Sequence, residues 1–224
     1  MKPLIAAVLA SITLTASVPT GAKPASRSVI RVRLETSAGP IVLALDARHA
    51  PKTVTNFLQY VDDGRLDGTE FYRASRKKDN PQQGFVQGGI GTEPRRKLTA
   101  VAFESTAETG LSHVDGAISM ARGDSTSIAT CNFSLLVGPH PWLNAREGSP
   151  GYAVFGKVAG GMDTVKRILA LPTGGGVGPM RGQMLYQPVK IIRAVRLDGV
   201  AQPTGRPKSW LIRLPQYKNP PKKP

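Results

Sequence analysis

The 224 residues are 40% hydrophobic and 20% charged, an ordinary globular balance that allows one large domain with a buried core. With 24 glycines and 19 prolines, the chain is rich in turns, which favours a mainly β fold over a bundle of long helices. The formal net charge of +15 suggests attraction to anionic surfaces. Cys131 is the only cysteine, which excludes an internal disulfide; we interpret it as a small buried hydrophobe, with a reactive thiol as the alternative.

The first 22 residues have the pattern of a signal peptide. Lys2 is followed by the apolar run LIAAVLASITL over residues 4–14, and small residues then lead to Thr20-Gly21-Ala22. The run is about as long as a signal-peptide core and too short to span a bilayer comfortably. We therefore expect a periplasmic or secreted protein after cleavage, without a membrane span. A buried N-terminal helix is the alternative interpretation.

The next segments predict a β-hairpin followed by a helix. Apolar and basic residues alternate over residues 29–35, and 41–46 repeat the alternation more loosely, with a turn between them. The helix prediction begins at Pro51 and ends at Gly64. Its apolar positions are spaced i, i+3, i+4 and i+7. These positions are Val54, Phe57, Leu58 and Val61.

The rest of the chain to about residue 198 predicts further strands and one more amphipathic helix. The helix covers residues 161–171 and ends before Pro172. This order leaves few free edges for an open sheet, so it favours a closed barrel with helices at its ends. The predicted strands cover residues 69–73, 116–122, 132–137, 152–158 and 188–197.

We place the barrel domain at residues 29–198 and a basic, proline-rich tail at residues 199–224. A small apolar island, Trp210 to Leu214, could dock the tail, and its positive charge could make weak contact with an anionic surface. A merely solubilising extension is the simpler interpretation. Asp62 and Asp63, at the end of the first helix, are interpreted as a solvated turn.

The sequence lacks the patterns of phosphate-binding loops and of metal sites. The glycine runs at 88–91 and 174–176 lack the spacing of phosphate-binding loops. His49, His113 and His140 are scattered and lack paired metal-ligand spacing, so they are interpreted as loop or surface residues. We therefore expect no metal, no cofactor and no nucleic-acid partner.

Four stretches together resemble the cyclophilin-type peptidyl-prolyl cis-trans isomerases. They are APKTVTNFLQYVDDG, FYR followed by QGG, GAISMAR, and WLN followed by YAVFGKVAGGMDTV. Their order and spacing cover nearly all of the chain between residues 29 and 198. The resemblance implies an eight-stranded antiparallel β-barrel capped by two α-helices, with a substrate groove on its outer face. It also implies a protein that acts on proline-containing polypeptides, and we expect a monomer.

The resemblance assigns the catalytic role to Arg73. A charged, rigid guanidinium can donate a hydrogen bond to the proline nitrogen, which regains its lone pair when the amide twists. The resemblance places further residues along the substrate groove. These are Tyr72, Phe85, Gln87, Ala121, Arg122, Asn132, Phe133, Ser134, Trp142, Leu143 and Tyr152.

Several positions depart from the family pattern. Asn132 and Ser134 align with a glutamine and with the phenylalanine that floors the proline pocket. A shift of one residue would restore Phe133 to the floor but would break the spacing to Trp142, and we favour the Ser134 alignment. Gly84 stands where an aromatic is usual. The departure at Ser134 motivates a second hypothesis, in which the groove binds proline-containing segments as a chaperone or scaffold with little turnover.

Overall fold

The computed structural model describes residues 28–121 and 131–212. The predicted signal peptide, the predicted groove residue Arg122 and the last part of the tail, from residue 213 onward, lie outside these ranges. Within them, no helix combines the length and the apolar character needed to cross a membrane.

The described residues form nine strands and three α-helices. The helices are α1 (Pro51–Asp62), α2 (Thr106–Thr109) and α3 (Met162–Ala170). The strands are β1 (Val29–Thr36), β2 (Gly39–Asp46), β3 (Thr69–Arg76), β4 (Gly84–Gly89), β5 (Ala117–Met120), β6 (Asn132–Val137), β7 (Ala153–Gly160), β8 (Thr173–Gly174) and β9 (Met184–Arg196).

Eight of the strands close into an antiparallel barrel. Neighbouring strands follow the order β1-β2-β7-β5-β6-β4-β3-β9, and β9 then pairs with β1 to complete the ring. The two-residue β8 adds to one end of β9, outside the ring. The predicted closed barrel is confirmed, whereas β8 and the four-residue α2 were not predicted.

The strand pattern of the hairpin separates core from surface. In β1, Val32 and Leu34 point into the barrel and are fully buried, while the alternating residues Arg31 and Arg33 are exposed. Because successive side chains of a strand point to opposite faces, this alternation fixes which side of β1 faces the core.

Both predicted helices cover apolar surface of the barrel. In α1, Phe57 contacts Phe133 and Phe155, with ring centroids 5.4 and 5.3 Å apart, and Phe133 in turn contacts Phe71 at 5.7 Å. Two of these contacts are edge-on, which is a favourable geometry for aromatic pairs, and the contact with Phe155 is tilted. The helix α3 buries Val165, Ile168 and Leu169 in the same way. Aromatic packing thus ties α1 to β6 and β7, and Phe133 extends the cluster to β3.

Cys131 is completely buried beside this core. Burial raises the pKa of its thiol, which keeps the sulfur protonated and unreactive at neutral pH. These observations agree with the interpretation as a small hydrophobe.

The interpretation of Asp62 and Asp63 as a solvated turn was wrong. Both carboxylates are almost fully buried: Asp62 pairs with Arg196, and Asp63 accepts a 2.8 Å hydrogen bond from Nε of Arg65. Burial of a charge is costly unless it is paired and hydrogen-bonded, and here each carboxylate has a guanidinium partner. The start of the tail adds donors, since the backbone and hydroxyl of Thr204 bond to Asp63.

Candidate functional site

Arg73 reaches the outer face of the barrel because β3 contains a bulge. Phe71 and Arg73 are two residues apart, so an unbroken strand would point both into the core. Phe71 pairs with Gly88 of β4, and Arg73 pairs with the next residue, Gln87, which leaves Tyr72 as an extra residue. The bulge shifts the alternation by one, so Phe71 is buried and Arg73 faces outward.

Four polar side chains form one row across four strands. Arg73 of β3 pairs with Gln87 of β4, Gln87 pairs with Ser134 of β6, and Ser134 pairs with Ser119 of β5. Cross-strand partners place their side chains close together on one face of a sheet. The strand register alone therefore places Arg73 in a row of polar side chains that come from distant parts of the chain.

This row lines an outer-face cavity of about 390 Å³. Its size falls within the usual range for a pocket that binds a small ligand or a peptide segment. It brings together seven of the twelve predicted residues. They are Arg73, Phe85, Gln87, Ala121, Ser134, Leu143 and Tyr152, and the wall is completed by Ser75, Ser119, Met120, Pro179 and Gln183.

The guanidinium of Arg73 is half-buried and held by hydrogen bonds. Nη1 donates to Oε1 of Gln87 at 2.9 Å, and Nε and Nη2 both donate to Oε1 of Gln183 at 2.9 and 2.7 Å. The ring of Phe85 lies 5.1 Å from Cζ, within cation–π distance. Burial lowers the pKa of Arg73, but an arginine stays charged at neutral pH. The cavity therefore contains a fixed positive charge beside an aromatic surface.

Tyr72 and Trp142 lie beside the cavity rather than in its wall. Burial raises the pKa of the Tyr72 phenol to about 12, so the ring stays neutral. The side chain of Trp142 is 48% exposed, with its ring 4.8 Å from that of His140 and 4.8 Å from Nζ of Lys77. Trp142 thus stands at the rim, where an incoming chain can contact it.

Phe133 does not line the groove. It is fully buried inside the barrel, in contact with Phe57 and Phe71, while its neighbour Ser134 faces the cavity. The structure thus has the predicted Ser134 alignment, and the assignment of Phe133 to the substrate groove was wrong because neighbouring residues of β6 point to opposite faces.

Asn132 forms hydrogen bonds with the backbone and does not line the cavity. Its Oδ1 accepts a hydrogen bond from the amide of Gly91 at 2.8 Å, and its Nδ2 donates to the carbonyl of Gly91 at 3.0 Å. Both halves of the carboxamide are used to fix the turn after β4. Asn132 therefore supports the end of the groove and is not among the residues that line the cavity.

The basic residues after Arg73 divide into two roles. Arg76 belongs to β3 and donates from Nη1 to the carbonyls of Leu169 and Leu171, at the end of α3. Such contacts satisfy helix carbonyls and complement the negative end of the helix dipole. Arg76 therefore joins β3 to the end of α3. Lys77 begins the connecting loop and contacts Trp142 at the rim.

Gly84 is required by close strand pairing. Its φ is +155°, and a β carbon at this position would collide with the carbonyl oxygen of Ser75 on β3. The family aromatic expected here would therefore not fit this backbone.

Sequence reasoning missed the residues that the glycine-rich segment 173–184 contributes to the cavity. Gln183 and the carbonyl of Pro179 both contact Arg73, the latter at 3.4 Å. The available signal was the unusual glycine content of a segment with no phosphate-binding pattern, since such segments permit close approach of the backbone to a site. Ser119 and Met120 lie within the quoted GAISMAR motif but were not singled out.

Both buried histidines lie in loops but not at the surface. His113 bonds to Asn144 and to the hydroxyl of Ser119 beneath the cavity, and His140 bonds to the carbonyl of Gly138. Within residues 28–121 and 131–212, no group of three or more potential ligands could hold a metal ion.

Comparisons with known proteins agree with this geometry. The family model for cyclophilin type peptidyl-prolyl cis-trans isomerase matches residues 31–196, which is more than half of the chain. Peptidyl-prolyl cis-trans isomerase A of Dickeya dadantii is 36% identical over 198 residues, covering 86% of this chain and 98% of that protein. Peptidyl-prolyl cis-trans isomerase cyp18 of Streptomyces antibioticus is 40% identical over 171 residues, covering 75% and 98%.

A crystal structure of a cyclophilin type peptidyl-prolyl cis-trans isomerase from Cryptosporidium parvum shares the fold. Its TM-score is 0.61 at 21% identity, over 77% of this chain and 99% of that one. The closed barrel, the outer-face cavity and the sequence matches all support one assignment. The chain belongs to the cyclophilin-type peptidyl-prolyl cis-trans isomerase family.

Proposed function

We propose that this chain accelerates X-Pro isomerisation at the outer-face cavity, with Arg73 as the catalytic residue. The observation that carries the proposal is the orientation of one half-buried guanidinium, which two side-chain amides hold at the wall of a peptide-sized cavity. Phe85 and Leu143 supply apolar surface for the proline ring, and Gln87 supplies an amide for the peptide backbone.

The chemistry requires preferential stabilisation of a twisted amide. Rotation about a peptide bond costs about 18–20 kcal/mol because resonance is lost, and no covalent intermediate is needed. As the bond twists, the proline nitrogen becomes pyramidal and regains a lone pair that can accept a hydrogen bond. A guanidinium fixed near that nitrogen binds the twisted state more strongly than either planar isomer, which lowers the barrier.

A mutational series tests the role of Arg73. We expect Arg73→Ala to lower kcat/KM for an X-Pro peptide by about 10²- to 10³-fold, as for removal of a preorganised donor. Arg73→Lys should recover only part of the loss, since a lysine keeps the charge but not the planar fork. Arg193→Ala, which removes an exposed arginine of β9, is the matched control and should leave the rate unchanged. Equal rates for wild type and Arg73→Ala would exclude the catalytic role.

Ser134 supports a second candidate, a proline-segment binding module with weak turnover. The small hydroxyl lies in the cavity wall, where the family pattern has an aromatic floor. An aromatic there would bury more apolar surface against the proline ring. Binding of a proline peptide by calorimetry, together with isomerisation at the uncatalysed rate, would favour the module over the enzyme.

We further propose that the clients are exported proteins. The charge, apolar run and small residues at positions 1–22 support this role. The test is fractionation of bacterial cells that express the full chain, with a Leu4→Arg variant that interrupts the apolar run as the control. Equal retention of both proteins in the cytoplasm would refute export.

A further inference from the structure

The guanidinium of Arg73 is held only by neutral acceptors. Its hydrogen bonds go to the side-chain amides of Gln87 and Gln183 and, at 3.4 Å, to the carbonyl of Pro179. Among the residues that the structure describes, no carboxylate lies within ion-pair distance of it, although five other arginines have such partners. The positive charge at the cavity is therefore not compensated by a counter-ion.

Gln183 contacts a larger part of this guanidinium than Gln87 does. One oxygen, Oε1, accepts from both Nε and Nη2, at 2.9 and 2.7 Å, and so fixes one whole edge of the planar group. A guanidinium carries five N–H donors. The bonds to the described residues use the N–H of Nε, both N–H groups of Nη2 and one N–H of Nη1. The second N–H of Nη1 is left for a substrate. Gln183 thereby fixes the orientation of the guanidinium plane.

The backbone holds Gln183 in place independently of Arg73. Its carbonyl accepts a 2.9 Å hydrogen bond from the amide of Ala74, the residue after Arg73, and its own amide donates to the carbonyl of Met180 at 3.1 Å. The glycine-rich segment 173–184 is thus attached to β3 directly after the bulge. The main chain of Gln183 is therefore held next to Arg73 by bonds that do not involve the guanidinium.

A neutral acceptor and a carboxylate would act differently at this position. Both can accept two hydrogen bonds from one edge of an arginine, but a carboxylate forms a bidentate ion pair that offsets the charge. For a reaction that depends on a preorganised cation, orientation and uncompensated charge both contribute.

We propose that Gln183 is a positioning residue for the isomerase reaction, which orients Arg73 while leaving its charge available to the twisted amide. The proposal rests on the proposed role of Arg73. It assigns a function to the glycine-rich segment, which supplies the residue through a backbone attachment to β3.

The test compares Gln183→Leu and Gln183→Glu in the full chain, with an X-Pro peptide as the substrate. Gln183→Leu removes the acceptor, and we expect kcat to fall by about 10- to 10²-fold, as for a misplaced catalytic group, with KM changed less than kcat. Gln183→Glu keeps both hydrogen bonds but adds a counter-ion, so its kcat should also fall. Gln187→Glu, at an exposed position of the following strand β9, is the charge control and should retain wild-type kcat.

A spectroscopic readout separates positioning from a merely structural effect. We expect a slowly exchanging ¹⁵Nε–¹H resonance of Arg73 in wild type and in Gln183→Glu, and its loss in Gln183→Leu, with unchanged backbone spectra. A wild-type kcat in Gln183→Leu overturns the proposal. If the leucine variant does not fold, a wild-type kcat in Gln183→Glu overturns it. If Arg73→Ala is slow in the same series, only the role of Gln183 fails. If Arg73→Ala is also at the wild-type rate, the role of Arg73 fails with it.

Discussion

The bulge at Tyr72 decides which face of the barrel carries the charge of Arg73. In an unbroken strand Tyr72 would be paired, and Arg73 would share the core face with Phe71 and place a guanidinium among aromatic rings. The sequence FYR contains no turn signal that predicts this bulge. It arises from pairing with β4 and β9, both of which shift register at the same point. Alternation along a single strand therefore could not have predicted it.

His113 makes the stability of the fold sensitive to acid. Its side chain is buried, and burial lowers the pKa of its imidazole below the usual 6.5. The neutral ring bonds to Asn144 and to Ser119. Because the unfolded chain binds a proton near pH 6.5 and the folded chain only at lower pH, the free energy of unfolding should be maximal above that pH and fall below it.

Urea denaturation between pH 8 and pH 5 measures this effect. Carboxylates whose pKa is lowered, such as Asp46 and Asp63, also lose stabilising energy on acidification. The comparison with His113→Gln therefore isolates the imidazole: the variant should be less stable at pH 8 and should lose less stability between pH 7 and pH 5. If the free energy of unfolding changes with pH by the same amount in wild type and in His113→Gln, the prediction is contradicted.

At the scale of elements, the start of α1 depends on a residue from a distant part of the chain. Ala50 provides no side-chain cap, and the buried Glu104 instead accepts hydrogen bonds from the amides of Lys52 and Thr53 at 3.0 and 2.8 Å. It also accepts one from the hydroxyl of Thr53 at 2.7 Å. A carboxylate at this end satisfies free amides and complements the helix dipole.

Glu104→Ala should destabilise the protein by about 2–4 kcal/mol, since it leaves several buried donors without an acceptor. Glu104→Gln, which keeps one carbonyl oxygen, should cost about half as much. Both values are obtained from urea unfolding, with Glu147→Ala as an exposed control that should change the free energy of unfolding little. A change of less than about 0.5 kcal/mol for Glu104→Ala would show that the cap is not important.

The sequence predicts elements well where local pattern decides them and poorly where distant contacts do. The hairpin, α1, β6 and α3 follow from alternation or helical spacing, and their bounds agree closely with the prediction. The short α2 was missed although Ser105 and Glu108 form a capping box, an S-x-x-E signal that is readable in the sequence. The cap at Glu104 could not be predicted, because it is about 50 residues from the helix it serves.

At the scale of the whole molecule, the segment after the barrel is attached to the end of α1, the turn that follows it and residues 94–96, and not to the groove. The ring of Trp210 lies 4.5 Å from Cζ of Arg65 and 5.4 Å from Cζ of Arg96. Of the apolar island, Trp210 makes this contact, whereas Leu211 and Ile212 are exposed and residues 213–214 lie outside the described residues. The contact of Trp210 with Arg65 covers the buried Arg65–Asp63 ion pair and leaves the Arg73 cavity open.

The two tryptophans should therefore have separate effects when each is replaced by alanine. Trp210→Ala should lower the free energy of unfolding by about 1–2 kcal/mol, the range of a partly desolvated cation–π contact, with kcat/KM unchanged. Trp142→Ala, at the rim of the cavity, should raise KM with little change in stability. Thermal unfolding and an X-Pro peptide assay on both variants check this. Loss of activity in Trp210→Ala would contradict the separation.

The pairing of β1 with β9, which completes the barrel, also brings the two ends of the domain together. The amide of Leu197 donates to the carbonyl of Arg31, and Asp198 accepts from the backbone and the guanidinium of Arg31. A few residues could therefore join position 198 to position 29 without disturbing either strand. A circularly permuted chain, opened instead at an exposed loop such as that around Asn80, would retain every barrel pairing. The arrangement of the barrel strands therefore does not depend on where the chain begins and ends.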